Sequence, residues 1–543
     1  MNRLTPQSLL LSSALQDHEV LEILSPTGLK DIRKADANLQ LIADEPRARQ
    51  LLSECIEELL NCLSRAPDPD QALNYFERFA RAALNRSNLL SYLKDSPYTL
   101  WLLIKVFGTS PFLSEVLIRF PNYLYWIAEK KTLEEGKPKK ELARETERSL
   151  ENLKTPDLKL ELLCVIKNKE LLRIGVRDLL GKASVEESTS DLSNLAGVII
   201  HQVYRISEAE LKKKWGFPYL ASKYEKKKKA SFTILALGKL GGGELNFSSD
   251  IDLIYLYESS AGKTSGTRTG GAQSRISNPE YFRKLSEEIT RSLSAMTARG
   301  FLYRVDLRLR PEGGQGEIAL PLKGFKDYYA KRGEIWERMA LLKAWPVGGS
   351  DLLGKKFVQS VAPFIYGTGF EKAIFTEVRK IREMILAKLE MKEREGLNVK
   401  LGTGGIREVE FLVQALQLYF GKKCPEIRDR GSLPSLKKFL RRRLFPEEAL
   451  SHLLEGYLFL RKVENSLQMV NEFQTHSLPE EGEALRECAL RLDYRDRENS
   501  PAEDQLLSDY LLHTGRINRW FSDLFIAPER SVILKWAAKT LNQ

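Results

Sequence analysis

One stretch constrains this chain more than any other: a strand runs into a glycine-dense bend, and a second strand follows that opens on two acids. Thr233–Leu237 (TILAL) is apolar and β-branched. Gly238-Lys-Leu-Gly-Gly-Gly-Glu-Leu-Asn-Phe-Ser-Ser follows, and Asp250-Ile-Asp252 opens the strand-like run Ile251–Tyr257. Side chains two apart on a strand share a face, so Asp250 and Asp252 project together while Ile251 and Leu253 face away. Two neighbouring carboxylates repel, and one takes a raised pKa unless a cation lies between them. A hard divalent ion such as Mg²⁺ suits the pair, because it takes oxygen ligands and keeps positions for phosphate oxygens.

Leu302–Leu309 reads as a third strand. Within Arg304-Val-Asp306-Leu-Arg308-Leu-Arg310, period-2 alternation puts Arg304, Asp306, Arg308 and Arg310 on one face, against Val305, Leu307 and Leu309. The planar fork of arginine donates two parallel hydrogen bonds to a phosphate. Taken singly, an Asp-x-Asp is more often a solvated strand edge, an Arg/Leu alternation an ordinary half-exposed strand, and a glycine run a loop. Their conjunction within about 75 residues points to a site that holds metal and phosphate together. Other phosphate motifs fit worse. A Walker loop ends in Gly-Lys-[Ser/Thr], whereas Gly238-Lys239 stands at the start and Leu240 follows. A dinucleotide fingerprint needs G-x-G-x-x-G with an acid about twenty residues later; here the spacing is G-x-x-G-G-G, and the acids come twelve and fourteen residues after Gly238.

Around this core the pattern is helical. From Tyr92 to Lys130 apolar residues recur at helical spacing, interrupted at Ser96-Pro97, Ser110-Pro111 and Pro121; each Ser-Pro pair reads as an N-cap followed by a first-turn proline. Lys131–Thr146 is charged, contains Gly136 and Pro138, and reads as an exposed linker. Helical patterning resumes from Leu150 to about Lys214. Ala261–Ser277 reads as a mobile loop, Pro279–Ala298 as a helix, and everything after Pro321 as helical nearly to the end. Gly404-Gly405 opens a helix on which Arg407, Glu410 and Gln414 share a face, suited either to a buried ion pair or to reaching a nucleotide across a cleft. Arg338 and Lys343 pose the same choice, with packing favoured. Cys55 and Cys62 are expected on one buried helix face.

Length and charge bound the rest. At about 150 residues per domain, 543 residues imply three or four packed units. The 84 Lys and Arg exceed the 73 Asp and Glu by 11, which favours an anionic partner without choosing one. The runs Lys212–Lys214, Lys226–Lys229 and Arg441–Arg443 are short and lack aromatics, so solvated faces are expected rather than nucleic-acid patches. No apolar run approaches the ~20 residues of a membrane span, and Leu9–Leu11 is too short for a secretory signal. The five cysteines are odd in number without a C-x-x-C pair, against a disulfide framework or zinc knuckle. The five histidines are scattered. A cytoplasmic protein without membrane or nucleic-acid partners is expected.

The strand, glycine loop, Asp-x-Asp and acid on a neighbouring strand resemble the DNA polymerase β-like nucleotidyltransferases. More narrowly, LGKLGGGELNFSSDIDLI (Leu237–Ile254) and YRVDLRLRP (Tyr303–Pro311) resemble the glutamine synthetase adenylyltransferase/deadenylylase family. The resemblance continues through Asp327-Tyr328-Tyr329, Trp336-Glu337-Arg338 and Lys400-Leu-Gly-Thr-Gly-Gly-Ile-Arg-Glu-Val-Glu-Phe411. It extends to Tyr457-Leu-Phe-Leu-Arg461 and Val463-Glu-Asn465, spanning about residues 90–525.

That resemblance implies an α+β, predominantly helical fold: a small mixed-sheet polymerase β-like core flanked by N-terminal helices and a C-terminal helical bundle. The expected divisions are 1–90, 91–322 (catalytic core 231–322) and 323–543. It implies Mg²⁺ on Asp250, Asp252 and Asp306. Nucleotide and phosphate would be held by Gly238, Lys239, Gly241, Ser248, Ser249, Arg304, Arg308, Arg310, Arg407 and Glu410. Family members often read Lys-Ala-Arg where this chain has Lys343-Ala344-Trp345, which leaves the third position without that role. The usual family chain carries two catalytic halves, one removing AMP from a glutamine synthetase tyrosine by phosphorolysis to give ADP, the other adding AMP from ATP, and so controlling nitrogen assimilation. Asn246-Phe247-Ser248-Ser249 resembles the removing half. Glutamine synthetase, ATP or ADP, phosphate and the PII signalling protein are the implied partners. The alternatives are adenylylation by the same site and a non-catalytic regulator of glutamine synthetase. Transfer to RNA or a small molecule is disfavoured by the resemblance alone.

Overall fold

The computed structural model describes residues 4–12, 15–221, 228–267, 275–367, 373–390, 397–471 and 475–541. Helices dominate these residues and a small mixed sheet is set among them, the α+β and predominantly helical class expected. Two compact units emerge, each assembled from separated stretches: Met1–Gly136, Leu171–Ser184 and Lys462–Asp509 in one, Lys137–Glu170, Val185–Arg461 and Tyr510–Gln543 in the other. No helix among the described residues is long and apolar enough to cross a membrane.

The first unit is built on amphipathic helices such as Pro46–Ser64, Pro69–Ala82 and Pro97–Phe107, each with proline in its first turn. Ser110 caps its helix as expected, accepting the Leu113 N–H at 3.2 Å. Ser96 instead shares a hydrogen bond with the Thr99 hydroxyl and makes no cap bond. Cys55 and Cys62 are buried on the same helix. The stretch expected as a linker is largely helical: Lys130–Glu134, in the first unit, buries Leu133, and Lys139–Glu151, in the second, buries Leu142, Thr146 and Leu150. Three positions at i, i+4 and i+8 suffice for a buried stripe, which dense charge on the other faces hides.

The sheet lies in the second unit. Strands β1 (Phe232–Ala236), β2 (Ile251–Tyr257), β3 (Val305–Asp306), β4 (Ala319–Pro321) and β5 (Trp345–Gly349) are ordered β3-β2-β1-β5, with β4 also paired to β2. β1 runs antiparallel to β2 and β5; β3 and β4 run parallel to β2 at successive positions along it. All five β1 residues are buried, as befits a central strand, and its one polar side chain, Thr233, donates to the Gly348 carbonyl on β5 at 3.2 Å. Helix α1 (Val185–Trp215) packs on β5 and on α3 (Asn278–Ser294), while α4 (Asp351–Tyr366) packs on β1 and β5. Between β1 and β2 the glycine bend forms a single short helix, α2 (Gly238–Gly242).

β4 and β5 were not expected. Trp-Pro-Val-Gly-Gly has no period-2 pattern, and pairing with β1 makes it a strand. It is an edge strand with a register shift opposite Ile234/Leu235, the setting in which a proline such as Pro346 is tolerated. The expected strand Leu302–Leu309 shrinks to Val305–Asp306, because the Asp306 side chain accepts the Arg308 N–H at 2.8 Å and turns the chain. The Lys212–Lys214 run sits in the last turn of α1, where Lys212 and Lys213 pair with Glu208 and Glu210, a solvated face as expected. Residues 226–227 and 268–274 of the two other stretches singled out lie outside the described residues.

Gly241 shows why the bend needs glycine. A Cβ there would lie 2.1 Å from the Lys343 carbonyl oxygen and 2.6 Å from that of Ala236. Gly241→Ala is therefore expected to lower stability by about 2–4 kcal/mol, since backbone must move on both sides; urea denaturation checks this, and a midpoint equal to wild type would refute the packing argument.

Candidate functional site

Two acids stand opposite each other where β2 and β3 begin, and a third lies just before β2. Asp252 and Asp306 are paired across the parallel β2–β3 ladder, so their side chains leave the same face of neighbouring strands, which lie ~4.8 Å apart. Asp250 immediately precedes β2. The Arg304 Nε donates to Asp250 Oδ1 at 2.7 Å, and its Nη2 donates to the Ser248 carbonyl at 2.6 Å and hydroxyl at 3.3 Å. One arginine thus fastens the loop before β2 to the segment entering β3. Gly238 lies directly over Asp252: its φ is +53°, and a Cβ would fall 2.1 Å from Asp252 Oδ2.

This crowding marks the electrostatics. Burial pushes the Asp252 carboxyl up to about 6, the Asp306 charge adds to it, and Arg407 and Lys400 oppose it. Asp306 is held below the usual carboxylate range by Arg308, whose Nε and Nη2 grip both carboxylate oxygens. Among the described residues no three His, Cys, Asp or Glu groups already converge as a metal set. The donors at this corner are nonetheless all oxygens, and ionised Asp252 is penalised by its acidic neighbours, a penalty that a hard divalent cation relieves. Their chemistry fits such an ion.

A buried polar framework holds the bend. Arg461, fully buried, donates from Nη2 to the Glu244 carbonyl at 2.6 Å and to Asn246 Oδ1, and from Nη1 to the Tyr457 hydroxyl at 3.0 Å. Asn246 Oδ1 also accepts from the Lys239 ammonium at 3.4 Å, and the Asn246 N–H donates to the Ser249 hydroxyl at 3.3 Å. The Glu244 carboxylate accepts the Ser432 and Leu433 N–H groups. It thereby caps α6 (Ser432–Arg441), which follows α5 (Ile406–Phe420) in the chain. Lys343 lies between Glu244 at 3.3 Å and Glu410 at 3.0 Å, and Arg407 reaches Glu410 at 3.2 Å. Burial would raise the Glu410 pKa, but Lys343, then Arg407 and Lys239, hold it well below the usual range.

The expected residues therefore divide. Asp250, Asp252, Asp306, Gly238, Lys239, Ser248 and Arg304 gather at one end of the sheet, with Gly241 and Ser249 shaping the bend. Glu410 does not reach outward: it is the buried partner of Lys343 and Arg407, while Arg407 is half-exposed. Arg310 leaves the face expected for it, because the chain turns after β3; its guanidinium donates to the Leu307, Gly314 and Gly316 carbonyls and pins that turn. Arg338 donates twice to the Ile365 carbonyl, a packing role. The Trp345 ring lies 4.4 Å beneath the Arg430 guanidinium, whose Nη1 donates to the Gly241 carbonyl at 3.0 Å. Lys400 went unrecognised. Its N–H and that of Leu401 are fixed by the Asn398 side chain, its carbonyl accepts the Arg407 N–H at 3.0 Å, and its charge acts on Asp252. The signal was present, since Lys400 opens the glycine-rich run before α5.

A model of the glutamate-ammonia ligase adenylyltransferase family matches residues 100–360, and a GlnD PII-uridylyltransferase model matches residues 379–525. A protein of Thioalkalivibrio sulfidiphilus named bifunctional glutamine synthetase adenylyltransferase/adenylyl-removing enzyme is 34% identical over 427 residues, which cover 79% of this chain and 42% of that protein. Its namesake in Nitrosococcus oceani is 34% identical over 461 residues, 84% of this chain and 45% of its own. A third, from Xanthomonas campestris pv. campestris, is 37% identical over 358 residues, 66% and 36% respectively. The chain spans less than half the length of these relatives.

Two outcomes follow from the electrostatics. The folded pKa of Asp252 lies above the ~3.9 of an unfolded aspartate, so this group weakens the fold above pH 6, and the penalty fades as pH falls toward 4. In EDTA, Asp252→Asn is expected to raise stability by about 1–2 kcal/mol at pH 7.5, with the gain lost near pH 4; thermal melts across that range read it. Lys343→Met removes the cation between two buried carboxylates and is expected to cost about 3–5 kcal/mol, measured by urea denaturation.

Proposed function

The chain belongs to the glutamate-ammonia ligase (glutamine synthetase) adenylyltransferase family, and from that premise we propose that it is a Mg²⁺-dependent nucleotidyltransferase that removes AMP from a tyrosine of glutamine synthetase by phosphorolysis, yielding ADP. The observation that carries the reading is the pairing of Asp252 with Asp306 beneath the Gly238 bend, with Lys239 on that bend. The direction rests on Asn246-Phe247-Ser248-Ser249 before Asp250, which resembles the AMP-removing half of the family. The similarity of residues 379–525 to PII-uridylyltransferase supports a PII-type signalling protein as regulator.

In this reaction a phosphate oxygen attacks the adenylyl phosphorus while its bond to the tyrosine oxygen breaks. The entering phosphate becomes the β-phosphate of ADP, and the tyrosine oxygen takes a proton from solvent. Asp250, Asp252 and Asp306 would hold Mg²⁺, which when bound neutralises charge and orients entering and leaving oxygens. Lys400 and Arg407 bring positive charge to Asp252, where two anionic reactants must approach each other, and Lys239 stands on the bend beside Gly238. Glycine at 238 lets the bend lie against the Asp252 carboxylate, which a Cβ there would displace. No covalent intermediate on the protein is needed; positioning and charge neutralisation carry the rate.

The test incubates the chain with adenylylated glutamine synthetase, Mg²⁺ and phosphate. ADP and unmodified glutamine synthetase are expected, with turnover reduced about 10³-fold or more in Asp252→Asn and Asp306→Asn. AMP transfer from ATP without ADP release from the modified substrate would reverse the direction. Full turnover in either variant would remove these acids from the chemistry.

A further inference from the structure

Three arginines surround the carboxylates, and they are tied down differently. Arg304 is shared between Asp250 and the Ser248 backbone, and Arg310 donates only to backbone carbonyls. Arg308 spends its side chain on Asp306 alone. Its Nε lies 3.0 Å from Oδ1 and 2.9 Å from Oδ2, and its Nη2 lies 2.5 Å from Oδ2. Its own N–H bonds Oδ1 at 2.8 Å. Both oxygens of the acid that faces Asp252 are thus already taken. The Arg308 side chain is 83% exposed while that of Asp306 is 16% exposed, so the guanidinium approaches from solvent, and among the described residues no backbone contact holds it there.

We propose that Arg308 is an internal counter-ion competing with the divalent cation for Asp306. A cation that takes Asp306 displaces the guanidinium, and the freed arginine turns to the phosphates of the bound nucleotide, so that cation and nucleotide tighten each other's binding. This rests on the metal-dependent reading of the site above. Arginine suits both states, because its planar fork matches a carboxylate and a phosphate equally well. An exposed pair is weak enough to be opened on each cycle. Linkage then requires the coupling to be reciprocal: whatever factor nucleotide adds to cation affinity, cation adds to nucleotide affinity.

The test measures Mn²⁺ binding to the full chain by electron paramagnetic resonance, with and without ADP, at fixed pH and ionic strength. Arg308→Met removes the grip but keeps the backbone bond that orients Asp306, and at an exposed position it leaves the fold intact. It is expected to bind Mn²⁺ about fivefold more tightly without ADP, and to lose most of the tightening that ADP confers on wild type. Arg308→Lys keeps the charge but not the fork, and should fall between the two. Mn²⁺ affinity in Arg308→Met no higher than in wild type overturns the proposal. So does an Arg308→Lys protein indistinguishable from wild type, because the effect would then be field alone. Asp306→Asn, expected to lose the ion, separates the two levels: wild-type Mn²⁺ binding there would bring down the metal reading of the site itself.

Discussion

Two like charges set opposite each other on adjoining strands repel, and much of this end of the sheet answers that repulsion. Asp252 cannot move away, because its strand is central and its neighbours Ile251 and Leu253 are fully buried. Asp306 cannot either while the β2–β3 ladder holds. The charge is instead distributed: Arg304 takes Asp250, Arg308 takes Asp306, and Lys400 before α5 and Arg407 in its first turn act on Asp252. Asp252, the most enclosed of the three, is left with the raised pKa. A site built this way favours a ligand that brings positive charge to Asp252 and negative charge to the arginines, which describes a cation bound with a phosphate.

The same end of the sheet needs a rigid frame, and charges supply it too. Glu244 does three jobs: it ends the glycine bend, caps α6 and accepts from Lys343. Replacing it with an apolar residue would strand two helix N–H groups and leave the buried Lys343 ammonium to Glu410. Buried ion pairs are not in general more stabilising than well-packed apolar groups, since desolvation offsets the attraction. Their advantage here is directional. An apolar cluster tolerates a bend displaced by an ångström, whereas Lys343, Arg461 and Ser432 define where Glu244 and Asn246 must sit, and Lys239 follows Asn246.

What the sequence disclosed and what it concealed divide along the same line. The strand, bend and Asp-x-Asp were legible because period-2 alternation and glycine are local signals, and Asp306 was legible because it lies in a second local pattern. The framework was not. Lys343 is 99 residues from Glu244 and 67 from Glu410, and Arg461 is 217 from Glu244, and no window along the chain joins them. Arg407, Glu410 and Gln414 could be put on one helix face, but whether that face met ligand or protein depended on Lys343. β5 was missed for a related reason: its conformation is imposed by β1, not by its own propensity. The alternation through Arg310 misled because it assumed that a strand continues while its pattern does.

Why the third acid stands on a strand only two residues long follows from the two oxygens of Asp306. Oδ1 accepts the Arg308 N–H, beside its Nε, and so ends the strand; among the described residues Oδ2 is met only by the Arg308 side chain. The carboxylate can exchange its partner at Oδ2 without undoing the turn bond, so the strand end and its register with β2 survive the exchange. A longer β3 would have committed the Arg308 N–H to the ladder or to solvent and left Asp306 without a local bond to fix its orientation. The short strand thereby separates two tasks that one acid must perform: a backbone bond keeps it aimed at Asp252, and a replaceable side chain keeps it neutralised.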